Sequence, residues 1–177
     1  DRENTRGEER YYHLVLLAEN NQGYKNLSKI VSRGFTEGFY YKPRIDLKTL
    51  EAHHEGLICL SACLAGDIPQ AILNRNFDEG ERLVLWFKNL FGEDFYLEMQ
   101  NHMLEEQLEV NKYLRTYAKK YGIKLVATND VHYLERSDAE SQDVLMCVQM
   151  GADYDDPKRL RFPNDEFYLK SYDEMAA

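Results

Sequence analysis

Asp130 and His132 are the residues whose types and spacing most readily do chemistry. They place a carboxylate and an imidazole two positions apart in Leu125-Val-Ala-Thr-Asn-Asp-Val-His-Tyr-Leu134. Leu125, Val126 and Ala127 follow one another without polar alternation, which predicts a short strand covered on both faces. In extended backbone, residues i and i+2 point the same way, so the two side chains are expected to face a common point where that strand gives out. A hard oxygen donor beside an imidazole nitrogen suits a divalent ion such as zinc or manganese. The pair reads equally well as a turn aspartate followed by a half-buried histidine, and the dipeptide pattern alone leaves both readings open.

Two further strand ends carry ligand chemistry. Gly56-Leu-Ile-Cys-Leu60 predicts a strand, and Ser61-Ala-Cys63-Leu-Ala-Gly66 after it is a small-residue turn bearing a thiol. As a ligand Cys63 would be a thiolate; otherwise it is a small buried residue in a tight turn. Asp94-Phe-Tyr-Leu-Glu-Met99 predicts another strand, followed by Gln100-Asn-His102. His102 reads either as a hydrogen-bond donor supporting a ligand from behind or as an ordinary polar residue opening the loop before Leu104, and the second is the expectation taken forward. His53 and His54 lie in a polar stretch, Glu51-Ala-His-His-Glu55, and are expected to face solvent.

The elements that must position these ends alternate as strand and helix. His13 to Ala18 is the first strand, and Tyr24, Leu27, Ile30, Val31 and Phe35 have the spacing of an amphipathic helix. A helix is predicted around Ile68 to Leu73, and another with Leu83, Trp86, Phe87 and Leu90 on one stripe. A long one runs from Leu104 to Tyr121 and stops at Gly122. Ser137 with Glu140 predicts a capping box opening a helix to Gly151, and Phe167 to Lys170 predicts a short strand. Ser171 with Glu174 forms a second capping box. Four strand–helix units with buried strands imply a parallel sheet, either open and doubly wound or part of a closed barrel. In both architectures chemistry collects at the carboxyl ends of the strands.

The chain has 177 residues and a net charge of −9, which fits one domain with a real core. That charge argues against nucleic-acid binding by the segment as a whole, while leaving room for a phosphate-bearing substrate held through metal ions. No run approaches the length of a membrane span and no signal peptide opens the sequence. The odd cysteine count (Cys59, Cys63 and Cys147) points to a reducing cytoplasm. Residues 1–10 are charged and read as a linker or loop. A capping box so close to Ala177 suggests a piece excised from a longer polypeptide.

Several strings, in order, resemble the PHP (polymerase and histidinol phosphatase) domain of bacterial DNA polymerase III alpha subunits. They are Tyr12-His-Leu-Val-Leu-Leu-Ala-Glu-Asn20, Gly23-Tyr-Lys-Asn-Leu27, Gly38-Phe-Tyr-Tyr-Lys-Pro-Arg-Ile-Asp46 and Gly56-Leu-Ile-Cys-Leu-Ser-Ala-Cys-Leu-Ala-Gly66. Phe95-Tyr-Leu-Glu-Met-Gln-Asn-His102 and Ala127-Thr-Asn-Asp-Val-His-Tyr133 continue the series. Asp156-Pro-Lys-Arg159 and Phe167 to Met175 resemble the segment leading into the polymerase body. Residues 11–165 would then be the later half of a PHP domain and 166–177 the start of that connection.

The resemblance implies an α/β fold, part of a distorted (β/α)7 barrel with parallel strands and covering helices, whose strand ends hold up to three metal ions. It implies His13, Cys63, Asp130 and His132 as metal ligands, with zinc or manganese in the site and magnesium for polymerisation elsewhere in the intact protein. The implied activity is DNA-directed DNA polymerisation by the parent, together with removal of mispaired 3′ nucleotides at the PHP site. Asp130 and His132 would hold the ions there and Arg44 would contact phosphate. For Arg44 the alternative is a surface salt bridge with Asp46.

The strand assignment puts His13 near the start of its strand, away from the carboxyl end where the family needs it. The early ligands of the family, a His-x-His motif, a further His and a Glu, are not found upstream of Tyr11, so the chain by itself is expected to be inactive. Implied partners are DNA, deoxynucleotides and other replisome subunits, a proofreading exonuclease among them, and no membrane. Two other classes remain: a stand-alone histidinol-phosphatase-like metal phosphoesterase, and a structural module that docks a separate exonuclease.

Overall fold

The computed structural model describes residues 11–176, so the linker expected over residues 1–10 lies outside the described residues. Its elements run β1 (Val15–Ala18), α1 (Asn21–Thr36), α2 (Leu47–Ala52), β2 (Leu57–Leu60), α3 (Asp67–Leu73), α4 (Phe77–Phe91) and β3 (Phe95–Met99). Then come α5 (Glu105–Tyr121), β4 (Lys124–Ala127), α6 (Ala139–Met150) and α7 (Tyr172–Ala176). Local chemistry sets several boundaries. The Asn20 side chain caps α1 by accepting from Gly23 N–H at 2.9 Å, and Asp46 caps α2 through Thr49 N–H at 2.9 Å. Gly122 ends α5 in the left-handed conformation at φ 62°.

The four strands form one sheet in the order β1-β2-β3-β4. β2, β3 and β4 are parallel, as predicted, but β1 pairs with β2 antiparallel, with Val15 opposite Leu60 and Ala18 opposite Leu57. The expectation of a wholly parallel sheet is corrected by the return path. After α1 the chain crosses back through residues 37–56, so β2 starts beside the end of β1. Glu19 N–H donates to Gly56 C=O at 3.0 Å at that junction.

The core lies between β2 and β3 and the helices α3, α4 and α5. Cys59, Ile68, Ile72, Val84, Phe87, Phe95, Leu97 and Leu114 are almost wholly buried there. Phe95 and Leu97 point into this core, while the alternate residue Glu98 lies on the opposite side of the strand. The strand Lys124–Ala127 was expected to be covered on both faces; it is instead an exposed sheet edge, with Leu125 41% accessible. An uninterrupted apolar run has the same composition at an edge as in the middle of a sheet, and neighbours decide which it is.

Other expectations shift by a few residues. The capping box before α6 is Glu135 with Asp138, not Ser137 with Glu140, because a 3-10 turn at Arg136–Asp138 precedes the helix. Phe167 to Lys170 makes only a single bridge, Tyr133 to Tyr168, rather than a strand. It joins a second small core of Tyr133, Phe167 and Tyr168. His53 and His54 are half-buried instead of solvent-facing, with the His54 ring edge-on to Phe91 at 6.0 Å. The box at Ser171 and Glu174 forms as predicted, with Ser171 N–H to Glu174 at 2.8 Å.

The β1–β2 junction is as tight as a backbone allows. A Cβ at Gly23 would lie 1.7 Å from the Gly56 carbonyl oxygen, whereas one at Gly34 would come no nearer than 3.5 Å to Ile45. Gly23→Ala is therefore expected to cost at least about 2 kcal/mol. Gly34→Ala should be neutral or stabilising by up to about 1 kcal/mol, since it only gains helix propensity. Urea unfolding of the two variants separates these outcomes. Asp67, at the first turn of α3, provides a second test: burial pushes its carboxyl above the usual range. Its contribution to stability is present below the ordinary carboxylate pKa and is lost as pH rises through the raised one. Asp67→Asn should raise the urea midpoint at pH 7 and leave it unchanged at pH 3.

Candidate functional site

Because β1 runs against its neighbours, its first residues lie level with the carboxyl ends of β2, β3 and β4. That resolves the misplacement of His13 expected from a parallel sheet. His13 N–H donates to Ala65 C=O at 3.0 Å, and His13 bridges Gly66. This registers the imidazole against the turn after β2, and its Nδ1 sits 3.6 Å from Cys63 Sγ. The turn itself needs small residues: Ala62 is left-handed at φ 63°, and a Cβ on Gly66 would come within 2.4 Å of Ser61 C=O.

His13 and Cys63 line a cavity of about 640 Å³ together with Glu98, Gln100, Thr128 and Asp130. Glu98 is the residue the sequence reading missed. Its backbone N–H donates to Ser61 Oγ at 2.9 Å, and its Oε1 accepts from Thr128 Oγ1 at 2.5 Å and from Gln100 Nε2 at 3.3 Å. Its second oxygen, Oε2, is buried with no hydrogen-bond partner among the described residues. A buried carboxylate oxygen without a partner is costly and calls for a cation or donor. The available signal was an acidic residue inside an otherwise apolar strand. Burial pushes the Cys63 thiol up, and the charges of Asp130 and Glu98 push the same way. The pocket is thus negative, and its donors are sulfur, nitrogen and carboxylate oxygen, the set that suits zinc or manganese. Among the described residues no three His, Cys, Asp or Glu side chains come together closely enough to hold an ion by themselves.

Asp130 and His132 do not share one direction. Asp130 adopts φ 46°, which breaks the extended geometry, so Asp130 lines the cavity while His132 lies outside its lining. The His132 ring packs on Phe162 at 4.7 Å, and its Nδ1 is 2.7 Å from Asp130 C=O. A carbonyl only accepts, so Nδ1 carries the proton and Nε2 is the nitrogen open to a ligand. Arg44 stacks on Tyr40 at 5.0 Å and lines the neighbouring cavity; it makes no ion pair among the described residues, and Asp46 is engaged in capping α2.

His102 is the largest departure from expectation within the loops, because it is almost fully buried. Its Nε2 donates to Asn129 C=O at 2.8 Å, Gln107 Nε2 donates to its Nδ1 at 2.8 Å, and its ring stacks on Phe167 at 4.0 Å. Asn129 in turn donates to Glu166 C=O and Tyr168 C=O at 2.9 and 2.7 Å. This network fixes the loop bearing Asp130 between α5 and the segment around Phe167.

A protein-family model described as the PHP domain matches residues 3–102. The chain is 50% identical over 165 residues to DNA polymerase III subunit alpha of Borreliella burgdorferi. It is 48% identical over 167 residues to that of Thermus aquaticus and 44% identical over 169 residues to that of Deinococcus radiodurans. These alignments cover 93%, 94% and 96% of the chain but only 14%, 14% and 13% of the relatives, so the chain spans a small part of their length.

The Asn129 network makes a local prediction. Asn129→Ala removes both side-chain donors and leaves two carbonyls short of a partner, at a cost of about 2 kcal/mol. Amide exchange should accelerate at His132 and Leu169, whose N–H groups bond Phe167 and Tyr133 across the same seam. Unchanged exchange at both amides would show that the loop is held by other contacts.

Proposed function

The chain belongs to the PHP domain family, and on that premise we propose that it forms the later part of a metal-dependent phosphodiesterase site within a replicative DNA polymerase alpha subunit. The observation that carries this is the His13–Cys63 contact on the wall of a cavity that is also lined by Asp130 and Glu98. In this reading the sheet is one sector of a PHP-type barrel. The parent protein is a cytoplasmic DNA-directed DNA polymerase whose partners are DNA, deoxynucleotides and other replisome subunits, and it uses magnesium for polymerisation.

His13 Nδ1, Cys63 Sγ and the Asp130 carboxylate would hold the cation, with His132 Nε2 available at the rim. The chemistry supplied on binding a zinc or manganese ion is charge neutralisation at a phosphoryl oxygen and activation of water. Thr128 and Gln100 hold one oxygen of Glu98, a residue that lines the cavity, and leave the other for a cation or donor. Removal of a mispaired 3′ nucleotide is the reaction this arrangement suits. The chain by itself, with a pair of donors and two separate carboxylates, is expected to leave DNA intact.

A second reading, a structural module that braces the polymerase and docks a separate exonuclease, is favoured by the packing of His132 on Phe162 away from the cavity. Elemental analysis of the full-length subunit carrying this segment distinguishes the two. Zinc or manganese in the wild type, lost in the double variant Asp130→Asn with His132→Ala, supports the metal site. No metal in either protein supports the brace. The isolated chain, given manganese and a single-stranded 3′ end, should show no turnover above background, and brisk hydrolysis would overturn the expected inactivity.

A further inference from the structure

A ladder of rings and cations leads away from His13 along the surface. Tyr11 stacks on the His13 ring at 6.4 Å, and the Lys42 ammonium lies 5.2 Å from the centre of the Tyr11 ring. Tyr40 and Tyr41 meet edge to face at 4.7 Å, and Arg44 stacks on Tyr40 at 5.0 Å. Tyr11 and Lys42 also line the candidate metal cavity, so the ladder is continuous with it. Two of its rings are open to solvent, Tyr11 at 40% and Tyr41 at 74% accessible, and Tyr40 between them is half-buried.

Three features show that this is more than scattered surface aromatics. Tyr41 has φ 58°, a conformation that bulky side chains seldom adopt, and apart from its edge contact with Tyr40 its ring stays 74% accessible. The turn is held tightly, with Tyr40 N–H to Lys42 C=O at 3.1 Å and Lys42 N–H to Tyr40 C=O at 2.6 Å. Arg44 Nε and Nη2 are buried with no hydrogen-bond partner among the described residues, a fork lacking an oxyanion. Charge points the same way. Residues 21–50 contain six Lys and Arg against two acidic residues, in a chain whose net charge is −9. Residues 110–129 form a second basic run, with five Lys and Arg and no acidic residue, so the excess around the rings is local in an acidic chain.

We infer that Tyr11, Tyr40, Tyr41, Lys42 and Arg44 form a binding track for single-stranded DNA, with bases on the rings and phosphates on Lys42 and Arg44. Exposed ring faces can stack only on bases released from a duplex, and interleaved cations match the backbone between them. The track would lead a strand end into the cavity. That role rests on the reading above, that the cavity acts on DNA ends, whereas the binding itself needs no cation.

The test is fluorescence anisotropy of a short labelled oligothymidylate with the 177-residue chain, at low salt and in excess EDTA. Wild type should bind. Tyr41→Ala should weaken binding about fivefold or more, the loss of one stacked base, and Tyr41→Trp should retain it. Lys42→Ala should flatten the slope of log affinity against log salt by about 0.7, the loss of one phosphate contact on a single strand. Arg44→Lys keeps the charge but loses the fork and should also weaken binding. Tyr172→Ala, which removes an exposed ring on α7 (86% accessible), should bind as wild type. Unchanged thermal unfolding of each variant keeps a folding defect from imitating the result. The proposal is overturned if wild type does not bind, or if Tyr41→Ala and Lys42→Ala both bind as wild type. A duplex that binds as tightly as the single strand, or an acidic peptide that displaces the oligonucleotide equally well, overturns it too. With EDTA present, a failed track leaves the metal-site reading intact, and a metal-free parent protein leaves the track intact.

Discussion

The antiparallel pairing of β1 with β2 is the constraint on which the candidate site depends. A residue at the start of a strand and a residue after the end of its neighbour meet only if the two strands run in opposite directions. Here that requirement brings His13 to within 3.6 Å of Cys63. The pairing is secured at the far end of the sheet, where Gly23 and Gly56 approach so closely that no side chain fits between them. Two glycines with no chemistry of their own thus set the relation between two residues that have it. The distance between junction and site is short because the strands are four residues long, so little error accumulates along the ladder.

The other side of the cavity is built by a different kind of interaction. Asp130 lies on a loop with no ladder beyond β4, and an edge strand with exposed faces supplies little rigidity. His102 and Asn129 compensate through hydrogen bonds that are nearly all buried, and such bonds are strong because breaking one strands a polar group away from water. The cavity therefore has one wall held by backbone pairing and another held by side-chain polarity. The first resists displacement along the strands, and the second fixes the direction in which Asp130 leaves the sheet.

Much of the scaffold was legible in the sequence because its signals are local. Helices α1, α3, α4 and α5 follow from apolar spacing, and Gly122 marks an end by its conformational freedom. The strands fall within a residue or two of where apolar runs predicted them. What was not legible depends on neighbours. The direction of β1 is decided by the path of residues 37–56, which have no strong periodicity. The exposure of Leu125 is decided by the edge position of β4. The divergence of Asp130 and His132 comes from one positive φ at Asp130, which agrees with the turn-aspartate reading that the sequence had left open beside the extended one. His102 looked like a loop residue because its partners, Gln107 and Asn129, are separated from it in sequence and meet it only in space.

Glu98 connects these points. A carboxylate in a strand whose other face is core is expensive, and here only half of it is satisfied. The strand has room for it because alternation sends Phe95 and Leu97 to the core and Glu98 to the cavity, so core packing and site polarity use opposite faces of one element. That side of the sheet carries negative charge from Glu98 and Asp130, while Lys42 lines the same cavity from residues 21–50, which hold six Lys and Arg against two acidic residues. Opposite charges at a cavity and at its rim suit a polyanionic ligand only when the cavity is neutralised by a cation. An unneutralised cavity would repel the phosphate that the rim attracts. On the proposed reading, a bound cation would let the cavity and the track act on one strand, whichever residues hold it.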